Sequence, residues 1–421
     1  MTEEFLYYIW KNRLLYSDLK TIDNQLITIV HPGIQNLDSG PDFFNARLRI
    51  ADTEWAGNVE IHVKSTDWIR HKHQQDEAYN SVVLHVVYEH DGLPDEIKDI
   101  PTLALKGHFD EALFFRYKNL ISGRDWIPCG QQISKVDDLT LYSFLDSLLI
   151  ERLERKTAVV CNYLQLSNNH WESAFYIAMA RGFGFNVNSE PFELLAKSLP
   201  IEILAKHKTD ILQLEALFFG QAGLLNKNLK DEYSQTLVQE YSYLQKKYQL
   251  QAIAGYQWKF MKMRPVNFPT IRIAQFAQLI YKSVHLLSKI LEANKIEDLY
   301  SFFKLETSTY WKEHYTFGKK SKSSAKNFGK PAFDLILINT IVPFMFVYAE
   351  QHQTEFLKER AILWLNNLDA EKNGIVNRWI QSGVRIKNAA QSQASLTLKK
   401  EYCDKFRCLE CRVGNSLLKK I

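Results

Sequence analysis

The 421 residues contain no G-x-x-x-x-G-K-[ST] phosphate loop and no convincing G-x-G-x-x-G. Use of ATP or a dinucleotide is therefore not indicated. Cysteine is scarce, with five in the chain. So few, in an odd number, do not make a secreted disulfide framework. Charge of one sign is lacking too, since 52 Lys and Arg oppose 48 Asp and Glu for a net +4. That balance permits nucleic-acid binding but does not argue for it, because such footprints are local patches. There is no long hydrophobic run. The longest, within 334–350, is broken by Asn339, Thr340 and Pro343. It falls short of the ~20 residues that span a bilayer and reads as a buried core helix with a proline kink. The opening MTEEFLYYIWKNRLLYSDL carries Glu3 and Glu4 early and lacks an apolar stretch followed by a small-residue cleavage site. A cytoplasmic protein without membrane attachment is expected.

What is present is ordinary globular material, 46% apolar and 24% charged, with aromatic residues at 13%. Disorder is not the default, and the length suggests two or three domains. Glu3–Lys11 reads as a helix with Phe5, Ile9 and Trp10 on one face. QLITIV (25–30) and ARLRI (46–50) read as strands. NVEIHVK (58–64) alternates strictly, with Glu60, His62 and Lys64 on one face and Val59, Ile61 and Val63 on the other. Residues 67–79 have helical spacing, with Asp67 as a cap. SVVLHVVY (81–88) is nearly continuous in apolar residues, as in a strand buried on both faces. The predicted order is αβββαβ.

Beyond about Leu139, apolar residues recur at three- and four-residue spacing to roughly Lys400, without a solenoid repeat. The expected fold class is α+β and mainly α, in three parts. Residues 1–130 form an α/β module, 139–398 an α-helical region, and 399–421 a basic tail. The tail holds three of the five cysteines, with seven Lys and Arg against three Asp and Glu. Residues 318–330 form a lysine-rich loop, expected to be flexible. Phe219-Gly220-Gln221-Ala222-Gly223 marks a close helix approach or a helix end.

Several residues carry candidate chemistry. Asp42 follows Gly40-Pro41 at a strand entrance, and Glu60 stands eighteen positions later beside His62 and Lys64. Two converging carboxylates suit Mg²⁺ or Mn²⁺, and a nearby lysine can orient water or stabilise phosphate charge. A solvated sheet edge displays the same alternation. His62, His71, His73 and His85 fall within 24 residues. On a helix His71 and His73 would point apart; on an extended segment they would share a face and bind zinc. His85 must be satisfied inside its apolar strand. The bland reading is three surface histidines and one core histidine. The functional reading makes His62 or His85 a metal ligand or proton shuttle.

Cys403-x4-Cys408-x2-Cys411 has metal-ligand spacing, and Cys129, between Pro128 and Gly130, is the candidate fourth ligand of a 4Fe–4S cluster or Zn²⁺. Cys161, in TAVVCNYL, reads as a packed residue. Arg264, Arg272, Lys319, Lys320 and Lys322 are candidate phosphate contacts. Trp68 and Tyr79 would stack on a base or pack in the core.

Pro41-Asp42 with Glu60, His62 and Lys64 in this element order resembles the PD-(D/E)XK nuclease superfamily. The resemblance implies a restriction-endonuclease-like module of about 90 residues with a metal-dependent phosphodiesterase core. Asp42 and Glu60 would be ligands, and Glu3 or Glu4 of the first helix would assist. The pattern's lysine, two residues after the second acid, is replaced by His62, with Lys64 two further on. The cysteines resemble the iron–sulfur arrangement of helicase–nuclease and CRISPR-adaptation members, although there the lone cysteine precedes the nuclease motifs. Over most of the chain, Gly33-x-x-Asn36, Ser39–Phe43, Val59–His62, Asp67-Trp68, His71-x-His73, Leu84–Val87, Arg264–Pro269 and the cysteine tail resemble an uncharacterised bacterial domain-of-unknown-function family. Three functions follow as expectations: a metal-dependent nuclease acting on DNA or RNA, an inactive nucleic-acid-binding or scaffold relative, or a metal–sulfur protein centred on the helical region.

Overall fold

The computed structural model describes residues 1–92, 95–123, 125–226 and 228–419, so Lys420 and Ile421 of the expected tail lie outside the described residues. The chain forms two compact units. One comprises Met1–Phe144, Gln381–Val384 and Leu398–Ile421; the other comprises Leu145–Ile380 and Arg385–Thr397. The cysteine-bearing segment thus belongs to the same unit as the N-terminal module. The class is α+β, a mixed sheet followed by a large helical region.

In the first unit, α1 (Glu3–Lys11) starts at Thr2, whose hydroxyl accepts from the Phe5 amide. It buries Phe5, Leu6, Tyr8, Ile9 and Trp10, and the Trp10 indole donates to the Pro32 carbonyl at 2.9 Å. The strands are β1 (Ile27–His31), β2 (Ile34–Gln35), β3 (Phe43–Ile50), β4 (Thr53–Lys64), β5 (Val82–Glu89) and β6 (Thr102–Ala104). Their order is β1-β3-β4-β5-β6, with β2 also on β3. β3 pairs antiparallel with β1, β2 and β4, whereas β4–β5 and β5–β6 are parallel. Two registers position the site. Phe43 faces Val59, which sets Asp42 beside Glu60. Glu60 faces His85 across the parallel pair.

The helix expected over 67–79 is only one turn, α2 (Asp67–Arg70), followed by 3-10 turns at His73–Gln75 and Glu77–Ser81. Lys72 breaks it, with a left-handed φ of 64°. Asp67 is not the cap: it lies inside the turn, where its carboxylate accepts from the Lys64 amide at 3.0 Å.

In the second unit, Gly220 lets helix Ile211–Gln221 lie against helix Glu232–Tyr248: a Cβ there would come within 2.1 Å of the Tyr241 ring. This is the close approach the glycines promised. Residues Lys330–Gln351 form one helical stretch, long and apolar enough to cross a membrane, but 67% of its most apolar window is buried inside the protein. A π-turn at Leu337–Ile341 precedes Pro343. The widened turn makes room for the ring, which would otherwise meet the carbonyl of residue 339.

Glu215 is buried in this unit and accepts from the Tyr233 hydroxyl at 2.7 Å. Burial raises its pKa from 4.5 to about 7. The folded state therefore keeps a proton that the unfolded chain releases, and stability falls as pH rises from 4.5 to 7. Glu215→Gln is expected to stabilise the unit by about 3 kcal/mol at pH 8 and hardly at pH 4. Denaturant unfolding of both forms at the two pH values checks this.

Candidate metal centre

The polar face of β4 is not a solvated edge. Glu60 is 4% exposed and His62 1%. The loop after β4 covers them, with Trp68 edge-on to His62 and Tyr79 stacked on His73 at 3.8 Å. Trp68 and Tyr79 therefore pack around the histidines rather than standing free for a base.

The left-handed residue Lys72 turns the chain between His71 and His73, and both rings swing to the same place. His62 Nε2 lies 3.2 Å from His71 Nδ1, 3.2 Å from His73 Nε2 and 3.4 Å from Glu60 Oε1. His73 Nε2 lies 3.2 Å from the same carboxylate oxygen. The three nitrogens of His62, His71 and His73 all lie within 4.8 Å of one another, with the Glu60 carboxylate against two of them. A tetrahedral zinc with bonds of 2.0–2.1 Å has nitrogen–nitrogen edges of about 3.3 Å. His71 is exposed and His73 half-buried, so the cluster opens to solvent on their side.

Burial and the neighbouring rings push His62 down to about 2, His85 to about 3 and His73 to about 4. These rings are neutral at physiological pH. His62 Nδ1 lies 2.9 Å from His85 Nε2. If Nδ1 carries the proton, it donates to His85, and the Nε2 lone pair faces His71 and His73. This is how a metal-ligating histidine is oriented from behind. His85 Nδ1 is buried without a hydrogen-bond partner.

The carboxylates are cross-linked through backbone. Glu60 Oε2 accepts from the Asp42 amide at 3.1 Å, and Asp42 Oδ2 accepts from the Ile61 amide at 2.9 Å. The turn delivering Asp42 is tied by Asn36, whose side-chain amide donates to the carbonyls of Asp38, Ser39 and Pro41. Tyr7 hydrogen-bonds Asp42 from α1. Burial raises Asp42 to about 6; burial and the charge of Asp42 raise Glu60 to about 9.

Not every predicted residue joins the cluster. Lys64 turns outward, half exposed, with Asp91 at 3.6 Å. Its residue parity is right, but its ammonium has a partner elsewhere. On α1, Glu3 is the acid near Asp42, Glu60 and His71; Glu4 is bonded to Tyr117 instead. Tyr7 was missed by sequence reasoning, although its i+4 spacing from Glu3 places both on one helix face.

Arg272 is corrected from phosphate contact to buried structural cation. It donates to Gln275 at 2.9 Å and to Asn267 at 2.6 Å, and stacks on Phe185 and Phe328. Arg264, Lys319, Lys320 and Lys322 are exposed. The 318–330 segment is structured rather than a free loop. Lys319–Lys320 pair with His314–Thr316, and buried Lys326 donates to the Lys312 carbonyl at 2.7 Å.

Fold and cluster together define an α+β protein with a candidate metal centre of histidines and carboxylates on a mixed sheet. The chain belongs to the family described as "Protein of unknown function (DUF2851)", whose profile matches residues 3–374. The match includes every residue of the centre and ends before Cys403. No curated protein and no solved structure matches the chain. The expected domain-of-unknown-function family is thus the right one, and the match names no nuclease.

Proposed function

We propose that this chain is a metal-dependent hydrolase of nucleic-acid phosphodiesters. The observation that carries the reading is the convergence of His62, His71 and His73, three imidazole donors, with Glu60 at their edge and Asp42 behind it. Facing lone pairs on nitrogens packed this closely repel unless a cation or a shared proton lies among them. Imidazole donors suit Zn²⁺ and other transition ions such as Fe²⁺ or Ni²⁺, and the harder Mn²⁺ and Mg²⁺ less. The expected Asp42–Glu60 pair therefore becomes a histidine-dominated set with Asp42 outside it. A divalent ion held there would polarise a phosphate oxygen and acidify a nearby water. Asp42, oriented by Tyr7 and the Ile61 amide, would take the proton from that water. Arg70 and Lys72, exposed beside the open side, would attract the phosphate backbone.

The test is cleavage of labelled DNA and RNA with added Zn²⁺ or Mn²⁺. Wild type is expected to cut, and Asp42→Ala to lose at least ~100-fold in rate, the range of a lost general base. A clean wild-type protein inactive with every metal sinks the hydrolase reading. The outward turn of Lys64 favours one rival, a binding protein of the same fold. Salt-sensitive binding without product would identify it.

A further inference from the structure

We infer that Cys129, Cys403, Cys408 and Cys411 bind an iron–sulfur cluster that closes the two ends of the first unit onto one another. The inference stands apart from the hydrolase reading. All four thiols are free and buried, although Cys403 stands 274 positions after Cys129. Cys403 lies close enough to Cys129, Cys411 and Cys408 to feel the charge of each, and Cys129 feels Cys411 and Cys408. The two segments also meet beside them, with the Lys399 ammonium 5.3 Å from the Trp126 ring.

Each cysteine is held by local backbone. Cys129 sits in a turn where its carbonyl accepts from Gln132 and Ile133. The π-turn Leu398–Cys403 delivers Cys403. Phe406, with a left-handed φ of 54°, reverses the chain towards Cys408. Gly414 lets the following helix, Arg412–Lys419, press on that loop: a Cβ there would lie 2.2 Å from the Cys408 carbonyl oxygen. Cys411 precedes this helix and receives hydrogen bonds from the Val413 and Gly414 amides. Amides aimed at a sulfur stabilise it as a thiolate and tune a bound cluster.

The spread of the four thiols discriminates between metals. A tetrahedral zinc with 2.3 Å bonds needs sulfur–sulfur edges of about 3.8 Å. Among the described residues, the sulfurs are not grouped three together within 4.8 Å of one another. A cluster of several irons, transferred preassembled from a thiolate-ligated carrier, bridges the wider gap: each thiol releases its proton as its sulfur bonds an iron, the carrier's thiolate takes up that proton as it leaves, and the iron keeps its oxidation state. The cluster would also steady α1, whose Glu4 faces Cys408 and Tyr117 while its Glu3 and Tyr7 face the histidines.

The experiment is iron and acid-labile sulfide analysis of the full chain purified without oxygen, with visible absorption. Iron and sulfide in equal number, two or four of each per chain, are expected for a four-cysteine cluster, with broad visible absorption. Cys408→Ser and Cys411→Ser are expected to lose the iron and expose the segment after Leu398 to protease, whereas Cys161→Ser keeps both. Wild type with neither iron nor sulfide, or with stoichiometric zinc in their place, overturns the inference. So does full iron content in the Cys408→Ser/Cys411→Ser double variant.

Discussion

Replacing His62 with alanine is expected to weaken transition-metal binding at the N-terminal centre at least ~1,000-fold, beyond the 10–100-fold typical of outer-shell changes. His62 Nε2 is the hub, within 3.2 Å of His71 and His73 and 3.4 Å of Glu60. Removing it deletes one donor and the contact that holds the others in register. It also leaves His85 Nε2 without its 2.9 Å partner inside the sheet. His85→Phe is the informative companion, because it fills the same space and removes only the support behind the ligand. It should cost about 10–100-fold. Titration calorimetry with Zn²⁺, and Co²⁺ absorption as a readout of nitrogen ligation, measure both. Equal Zn²⁺ affinity in His62→Ala and wild type would remove His62 from the ligand set and with it the proposed centre.

The second large effect has opposite signs for stability and binding. Glu60→Gln is expected to stabilise the metal-free protein by on the order of 5 kcal/mol at pH 8 while abolishing tight metal binding. Glu60 is buried, and its pKa stands near 9 against an ordinary 4.5. The folded state therefore holds a proton that the unfolded chain has released, so metal-free wild type loses stability as pH rises from about 4.5 to 9. Asp42, raised from 3.8 to about 6, adds to the loss over a lower window. Glutamine has no proton to lose. Its carbonyl can still accept from the Asp42 amide, and its amide can donate to His62 or His73. A bound divalent cation would offset the same cost in wild type by supplying the missing positive charge, stabilising by about 4 kcal/mol at a thousandfold excess over Kd. Thermal unfolding from pH 5 to 9, with and without Zn²⁺, separates the cases. A metal-free wild type whose stability is flat over that range, or a Glu60→Gln protein that melts earlier at pH 8, contradicts the electrostatics described for the site.

Both effects arise because the polar face of a strand became an interior, and the sequence carried only part of that. Alternation in NVEIHVK placed Glu60 and His62 on one face, and Gly40-Pro41 announced the turn that brings Asp42. Periodicity suggested one helix over 67–79, on which His71 and His73 diverge. The helix instead stops at Arg70, and Lys72 adopts a left-handed conformation whose intrinsic cost is small enough for tertiary packing to override. Arg272 and Lys64 show the converse. An arginine in an unusual loop looked available for phosphate until Phe185 and Phe328 enclosed it. A lysine of the right parity looked catalytic until Asp91 drew its ammonium outward.

By itself the sequence determined the α+β class, the helical texture beyond residue 139, the shared face of Glu60 and His62, and the family. These depend on periodicity and local motifs, which neighbouring residues encode. Only the tertiary structure decided that His71 and His73 meet His62, that Tyr7 and Glu3 rather than Glu4 attend Asp42, and that Cys129 joins the C-terminal cysteines. Those arrangements depend on strand register, on a single left-handed residue and on contacts between distant segments. Such terms are set by the packing of the whole unit, and no local window of sequence contains them.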